Sequence, residues 1–174
     1  MYQISAYFDD NTKRLLQAYI DRIAQATGNN FMTDNNVPPH LTLSAIEARD
    51  VKMLALGFGS LEGKFKATHI HIVTMGQMLP YVMYVAPVLD SALFGLQNTV
   101  TDAFKTIPET MISKYYLPYS WFPHITLAKK LQKDQMQTAF CVMQEKFQPI
   151  KGVITKIGLA KVNPHEDIYM YHLK

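Results

Sequence analysis

Cysteine occurs once in the 174 residues, at Cys141, which rules out an internal disulfide framework and any zinc site of the multi-cysteine kind. Charge is sparse as well: charged residues make up 18%, the net charge is +3, and no block of like charge exceeds a few residues. A protein that coats a polyanion carries a basic stripe, and none is visible, so an anionic ligand is permitted but not demanded. No apolar run approaches the roughly 20 residues needed to cross a bilayer. The opening MYQISAYFDD has two aspartates and no basic leader before an apolar stretch, which is not the pattern of a signal peptide. Glycine-rich phosphate loops are missing too. Gly57-Phe58-Gly59 meets its third glycine only at Gly63, and Gly63-Lys64 lacks the upstream glycine and downstream hydroxyl of a P-loop. These gaps lead to the expectation of a soluble, cytoplasmic protein with no membrane contact, no cofactor and no obligate protein partner.

What the chain does have is 48% hydrophobic residues, in a length that suits one domain or two small lobes sharing a core. Tyr2 to Phe8 reads as a strand, and Asp9, Asp10 and Asn11 offer caps for a helix over about 11–27. In it Leu16, Tyr19, Ile20 and Ile23 form one apolar stripe. A strand is expected from His40 to Ile46, a short helix from Asp50 to Phe58, and strands over Phe65–Met75 and Tyr81–Ala86. The clearest helix spans 88–107, with Leu89, Leu93, Leu96, Val100, Phe104 and Ile107 on one face. A long aromatic loop over 109–123 precedes a strand from His124 to Lys130 and a helix from Gln132 to Phe147. Val153–Val162 and Ile168–Leu173 close the chain as a hairpin about Asn163-Pro164-His165-Glu166.

The order β-α-β-α-β, then β-α-β-α-β-β, is a duplication, and it carries a literal repeat. Pro39-His40-Leu41-Thr42-Leu43 returns 84 residues later as Pro123-His124-Ile125-Thr126-Leu127. In a strand, residues i and i+2 share a face, so His40 and Thr42 point together, as do His124 and Thr126. Two related halves that face each other would then line one groove with two imidazoles and two hydroxyls. That set suits cleavage of a phosphodiester without a metal. One neutral imidazole takes a proton from the attacking water, and the other, as imidazolium, protonates the departing oxygen. The threonines can donate to the non-bridging phosphate oxygens.

PHLTL and PHITL resemble the tandem H-x-T-hydrophobic motifs of the 2H phosphoesterase superfamily, which includes bacterial 2′–5′ RNA ligase-like proteins and cyclic phosphodiesterases. The resemblance covers the whole chain in element order, with literal identity confined to the two segments. It implies a bilobal α/β (α+β) fold, with lobes of about 1–78 and 79–174, two antiparallel sheets around a central groove and helices outside. It also implies a metal-independent hydrolase for 2′,3′-cyclic or 2′–5′ phosphodiesters of nucleotides or RNA ends. By the same resemblance His40 and His124 match the catalytic histidines, and Thr42 and Thr126 the phosphate-contacting threonines. Many relatives carry an arginine two residues beyond the second motif, where this chain has Lys129, followed by Lys130. Lysine keeps the charge without the bidentate fork, and Lys129 is expected to contact phosphate. After the first motif the stretch Ser44-Ala45-Ile46-Glu47 holds no base, which favours a small substrate over a long RNA. Two other readings remain open: a nucleotide- or RNA-end-binding module without turnover, and a phosphodiesterase for a small metabolite.

Tyr115, Tyr116, Tyr119, Trp121 and Phe122 crowd the loop before the second motif, and Trp121 or Phe122 is the expected platform for a stacked base. His69 and His71, two apart in a strand, lack a third ligand and are expected on a polar sheet face, so no metal site is assigned. His165 and His172 are expected at the surface, and Cys141 as a buried structural thiol. The ten methionines read as adaptable core filler.

Overall fold

The computed structural model describes residues 1–162 and 165–174. Strand β1 (Tyr2–Phe8) runs into helix α1 (Asp10–Thr27), whose start is fixed by Asp9: its carboxylate accepts from the Thr12 amide at 3.0 Å and from the Thr12 hydroxyl at 2.6 Å. That satisfies one of the orphan donors of the first turn. Gly28, at φ 68°, ends the helix in the left-handed conformation that glycine adopts without strain. Leu16, Ile20 and Ile23 are buried as the spacing predicts, while Tyr19 packs against the core only in part. A one-turn helix α2 (Phe31–Asp34) then interrupts the expected loop.

Strand β2 (Leu41–Ala48), helix α3 (Lys52–Gly59) and strand β3 (Thr68–Met78) complete the first half. The second half begins with β4 (Val82–Pro87) and α4 (Ser91–Phe104). Asp90 caps α4 through the Leu93 amide, so Leu89 lies outside the helix and is exposed. The expected long loop is partly built: β5 (Thr110–Ile112) pairs with β2, and a 3₁₀ turn covers Lys114–Tyr116. Strand β6 (Ile125–Ala128), helix α5 (Lys133–Lys146) and strands β7 (Ile150–Lys161) and β8 (Glu166–His172) follow. The turn expected at Asn163-Pro164 lies outside the described residues.

The expected α+β class holds: antiparallel strands with helices packed on them. The strands form one connected eight-stranded sheet rather than two separate ones, and its pairings close a circuit. Strand β1 pairs with β2, β2 with β6, β6 with β4, β4 with β3, β3 with β7, and β7 again with β1. Pairing therefore crosses the boundary expected near residue 78. The third strand of the first half, β3, pairs with β4 of the second, and the third strand of the second half, β7, pairs with β1 of the first. Strand β7 is long enough to serve both: its start lies beside β3, and its end lies between β1 and β8. The seam between β2 and β6 consists of one residue pair, Leu41 with Ile125, each directly after its motif histidine. Both are fully buried, in a core that also takes Leu43 and Leu127.

Candidate active site

The antiparallel register at Leu41 and Ile125 brings the two repeats together head to tail. One step along, His40 faces Thr126 and Thr42 faces His124. Alternation sends the leucines and Ile125 into the core, and all four polar side chains onto the wall of one cavity of about 800 Å³. Lys129 and Phe122 line that cavity as well. Every residue expected at a phosphate or a proton, and Phe122 with them, thus meets the others in one place.

Trp121 does not. It is only 7% exposed, packs in the core, and donates its indole N–H to the Thr42 carbonyl at 3.0 Å. A ring spent on holding the β2 strand in place has no face for a base, so the stacking expectation for Trp121 is corrected. Phe122 next to it is 46% exposed and lies parallel to the His124 ring, with centroids 6.0 Å apart and planes at 13°. Tyr115 and Tyr116 also reach the cavity, whereas Tyr119, 93% exposed, does not line it.

Both histidines are held in the same way. The Nδ1 of His40 lies 2.8 Å from the Pro38 carbonyl, and that of His124 lies 2.9 Å from the Phe122 carbonyl. A carbonyl can only accept, so Nδ1 carries the hydrogen in each ring and Nε2 is left with its lone pair for chemistry. Burial pushes the His40 imidazole down to about 4; the Pro38 carbonyl opposes this, and His165, Lys129 and His124 add to it. Burial lowers His124 too, against the Phe122 carbonyl, with Lys129 assisting. Burial raises the Tyr116 phenol, opposed by its hydrogen bond with Thr42.

Several further residues of the site carry no functional signal in the sequence. Gln3 and Tyr7 lie on β1. The Gln3 amide donates to His40 Nε2 at 3.2 Å, and the Tyr7 ring stands 6.3 Å from His40. Tyr84 on β4 stands 5.8 Å from His124, edge-on. Each tyrosine is seated over a glycine of the neighbouring strand. A Cβ on Gly158 would come within 2.8 Å of the Tyr7 ring, and one on Gly76 within 2.5 Å of the Tyr84 hydroxyl. His165, expected at the surface, lines the cavity and stacks on His40, with centroids 6.4 Å apart and planes at 22°. His172 is exposed as expected. Cys141 is exposed rather than buried, because it lies on the side of α5 away from Met136 and Met143. Among the described residues no group of three His, Cys, Asp or Glu side chains is placed to hold a metal. None of the described residues lining the cavity is acidic, and among the described residues no helix is long and apolar enough to cross a membrane.

The fold has counterparts among solved structures. E. coli LigT, in a crystal structure with 3′-AMP, superposes with a TM-score of 0.67 at 14% identity, covering 99% of this chain and 97% of that one. TT0787 of Thermus thermophilus gives 0.64 at 13% identity, with coverage of 99% and 97%. A third structure, described as a phosphoesterase, gives 0.62 at 14% identity with the same coverage. No curated protein sequence matches the chain. The sequence pattern of the 2′-5′ RNA ligase superfamily matches residues 12–166, nearly the full length and both motifs, and the chain belongs to that superfamily.

Proposed function

We propose that the chain is a phosphodiesterase that works by two-histidine acid–base catalysis. It would open a 2′,3′-cyclic phosphate or cleave a 2′–5′ linkage at a nucleotide or RNA end. The observation that carries this reading is the pairing of the two motifs across the β2–β6 seam, which sets two Nδ1-anchored imidazoles and two threonine hydroxyls on one cavity wall. One Nε2 takes the proton of the attacking water as its oxygen bonds to phosphorus. The other returns a proton to the ribose oxygen as the P–O bond to it breaks. Thr42, Thr126 and Lys129 hold the non-bridging oxygens, and Phe122 offers its face to a base. The crystal structure of E. coli LigT complexed with 3′-AMP supports a nucleotide as ligand for a protein of this fold.

The test is incubation with a 2′,3′-cyclic mononucleotide in the presence of EDTA, with products separated by chromatography. The wild type should yield the 2′-phosphate, and His40→Ala and His124→Ala should each lose about 10²–10⁴-fold in rate with little change in melting temperature. A nucleotide that binds without turnover would make the protein a binding module instead. Undiminished turnover in either variant would remove the two-histidine mechanism.

A further inference from the structure

The halves build their histidines alike up to a point. Each ring has its Nδ1 on the carbonyl two residues back and a tyrosine behind it, seated over a glycine. The likeness then ends, because among the described residues only the His40 side carries a further ionic layer. Gly158 leaves room for Tyr7 to reach across β7, where its hydroxyl donates to Asp167 Oδ1 at 3.0 Å. The same oxygen lies 3.3 Å from His165 Nε2. That contact is oblique, so the nitrogen makes no aligned hydrogen bond, but it sets a carboxylate against an imidazole that is only 14% exposed. The other face of this arrangement is the His165 ring, stacked on His40.

We propose that His165, held by Asp167, is a positioning residue that gives proton transfer its direction, making His40 the base and His124 the acid. The proposal rests on the two-histidine reading above. Two stacked imidazoles repel each other when both are protonated, and the carboxylate lies on the side of His165, so the pair carries its charge there. His40 then keeps its Nε2 lone pair, towards which Gln3 already donates. The other groups facing His40 act in the same sense or are neutral. They are Tyr7 on β1, His124 just before β6 and Lys129 just beyond it. His124 has no second imidazole stacked on it among the described residues: its ring meets Tyr84 and Phe122, and the cation that acts on it, Lys129, acts on His40 as well. In hydrolysis His40 Nε2 receives the proton of water and His124 Nε2 supplies one to the leaving oxygen. Exchange with solvent resets both.

The experiment is a titration of the histidine side chains by NMR in the free protein, for the wild type, His165→Gln and His165→Lys. Removing the His165 imidazole should raise the His40 midpoint by about one pH unit, the scale on which one charge acts at such a distance. Lysine, which restores the charge, should hold the midpoint near the wild-type value, and His124 should move less than His40 in His165→Gln. A His40 midpoint unmoved in His165→Gln, or moved equally in His165→Lys, overturns the proposal. The pH profile of kcat/KM on the cyclic nucleotide should show its acidic limb following His40. A limb that follows His124 would reverse the assignment. If the wild type turns nothing over, the phosphodiesterase reading and the assignment of base and acid fall together, and the titration still decides whether His165 governs the protonation of His40.

Discussion

A histidine whose Nδ1 is tied to a carbonyl has one nitrogen left, and in this protein both such nitrogens open on the same cavity. Holding His40 neutral has a cost in acid. Between the ordinary value of 6.5 and about 4, the unfolded chain binds a proton that the folded chain refuses, so stability falls as pH drops through that window. The melting temperature should therefore fall less between pH 7 and pH 4.5 in His40→Asn than in the wild type; an equal fall would mean that His40 is not held neutral. The adjacent aromatic residues part company in a similar test. Trp121→Phe leaves the Thr42 carbonyl without its donor and should cost about 1–3 kcal/mol in urea unfolding. Phe122→Ala should leave stability nearly unchanged and weaken nucleotide binding by about 1–3 kcal/mol in calorimetry. The sequence showed the residues that repeat, because a doubled PH-x-T-L stands out. It hid Gln3, Tyr7 and His165, which lie outside the repeated segments and gain meaning only from the strand opposite. Trp121 and Phe122 looked equivalent because alternation over two residues near a strand start does not say which one faces inward.

At the scale of elements, helices of two turns or more were legible, the short α3 included, and the one-turn pieces were not. Helices α1, α4 and α5 carry apolar stripes that periodicity detects, whereas α2 and β5 run to four and three residues and exist because neighbouring strands hold them. Cys141 could have been placed outward from the same stripe, since it is one step off the buried Met136–Met143 face of α5. The two tyrosine–glycine pairs were beyond reach: Gly158 matters to Tyr7 only through a pairing across most of the chain. Those glycines make a matched test. Gly158→Ala should displace Tyr7 from Asp167, and Gly76→Ala should displace Tyr84 from beside His124, each costing about 1–3 kcal/mol by overpacking. Chemical denaturation measures the loss, and a neutral result at either position would show that the ring moves aside freely.

For the whole molecule, the exchange of third strands sets how the chain can be divided. A fragment of residues 1–79 holds β3 without β4, and residues 80–174 hold β7 without β1. Neither should show cooperative melting alone by circular dichroism, and mixing the two should restore it. A fragment that melts cooperatively by itself would contradict the shared sheet. The element order and the repeat were readable from the chain, but this exchange was not. Hydrophobic patterning says which face of a strand is buried and is silent on its partner.

Strand exchange of this kind is the arrangement of an entwined dimer, in which each copy lends its last strand to the other. A free half would have to find an identical twin, and any residue beside one histidine would then stand beside both. Fusion into one chain lifts that constraint. His165 and Asp167 can occupy one side alone, and an arrangement that symmetry would keep reversible acquires an entrance and an exit.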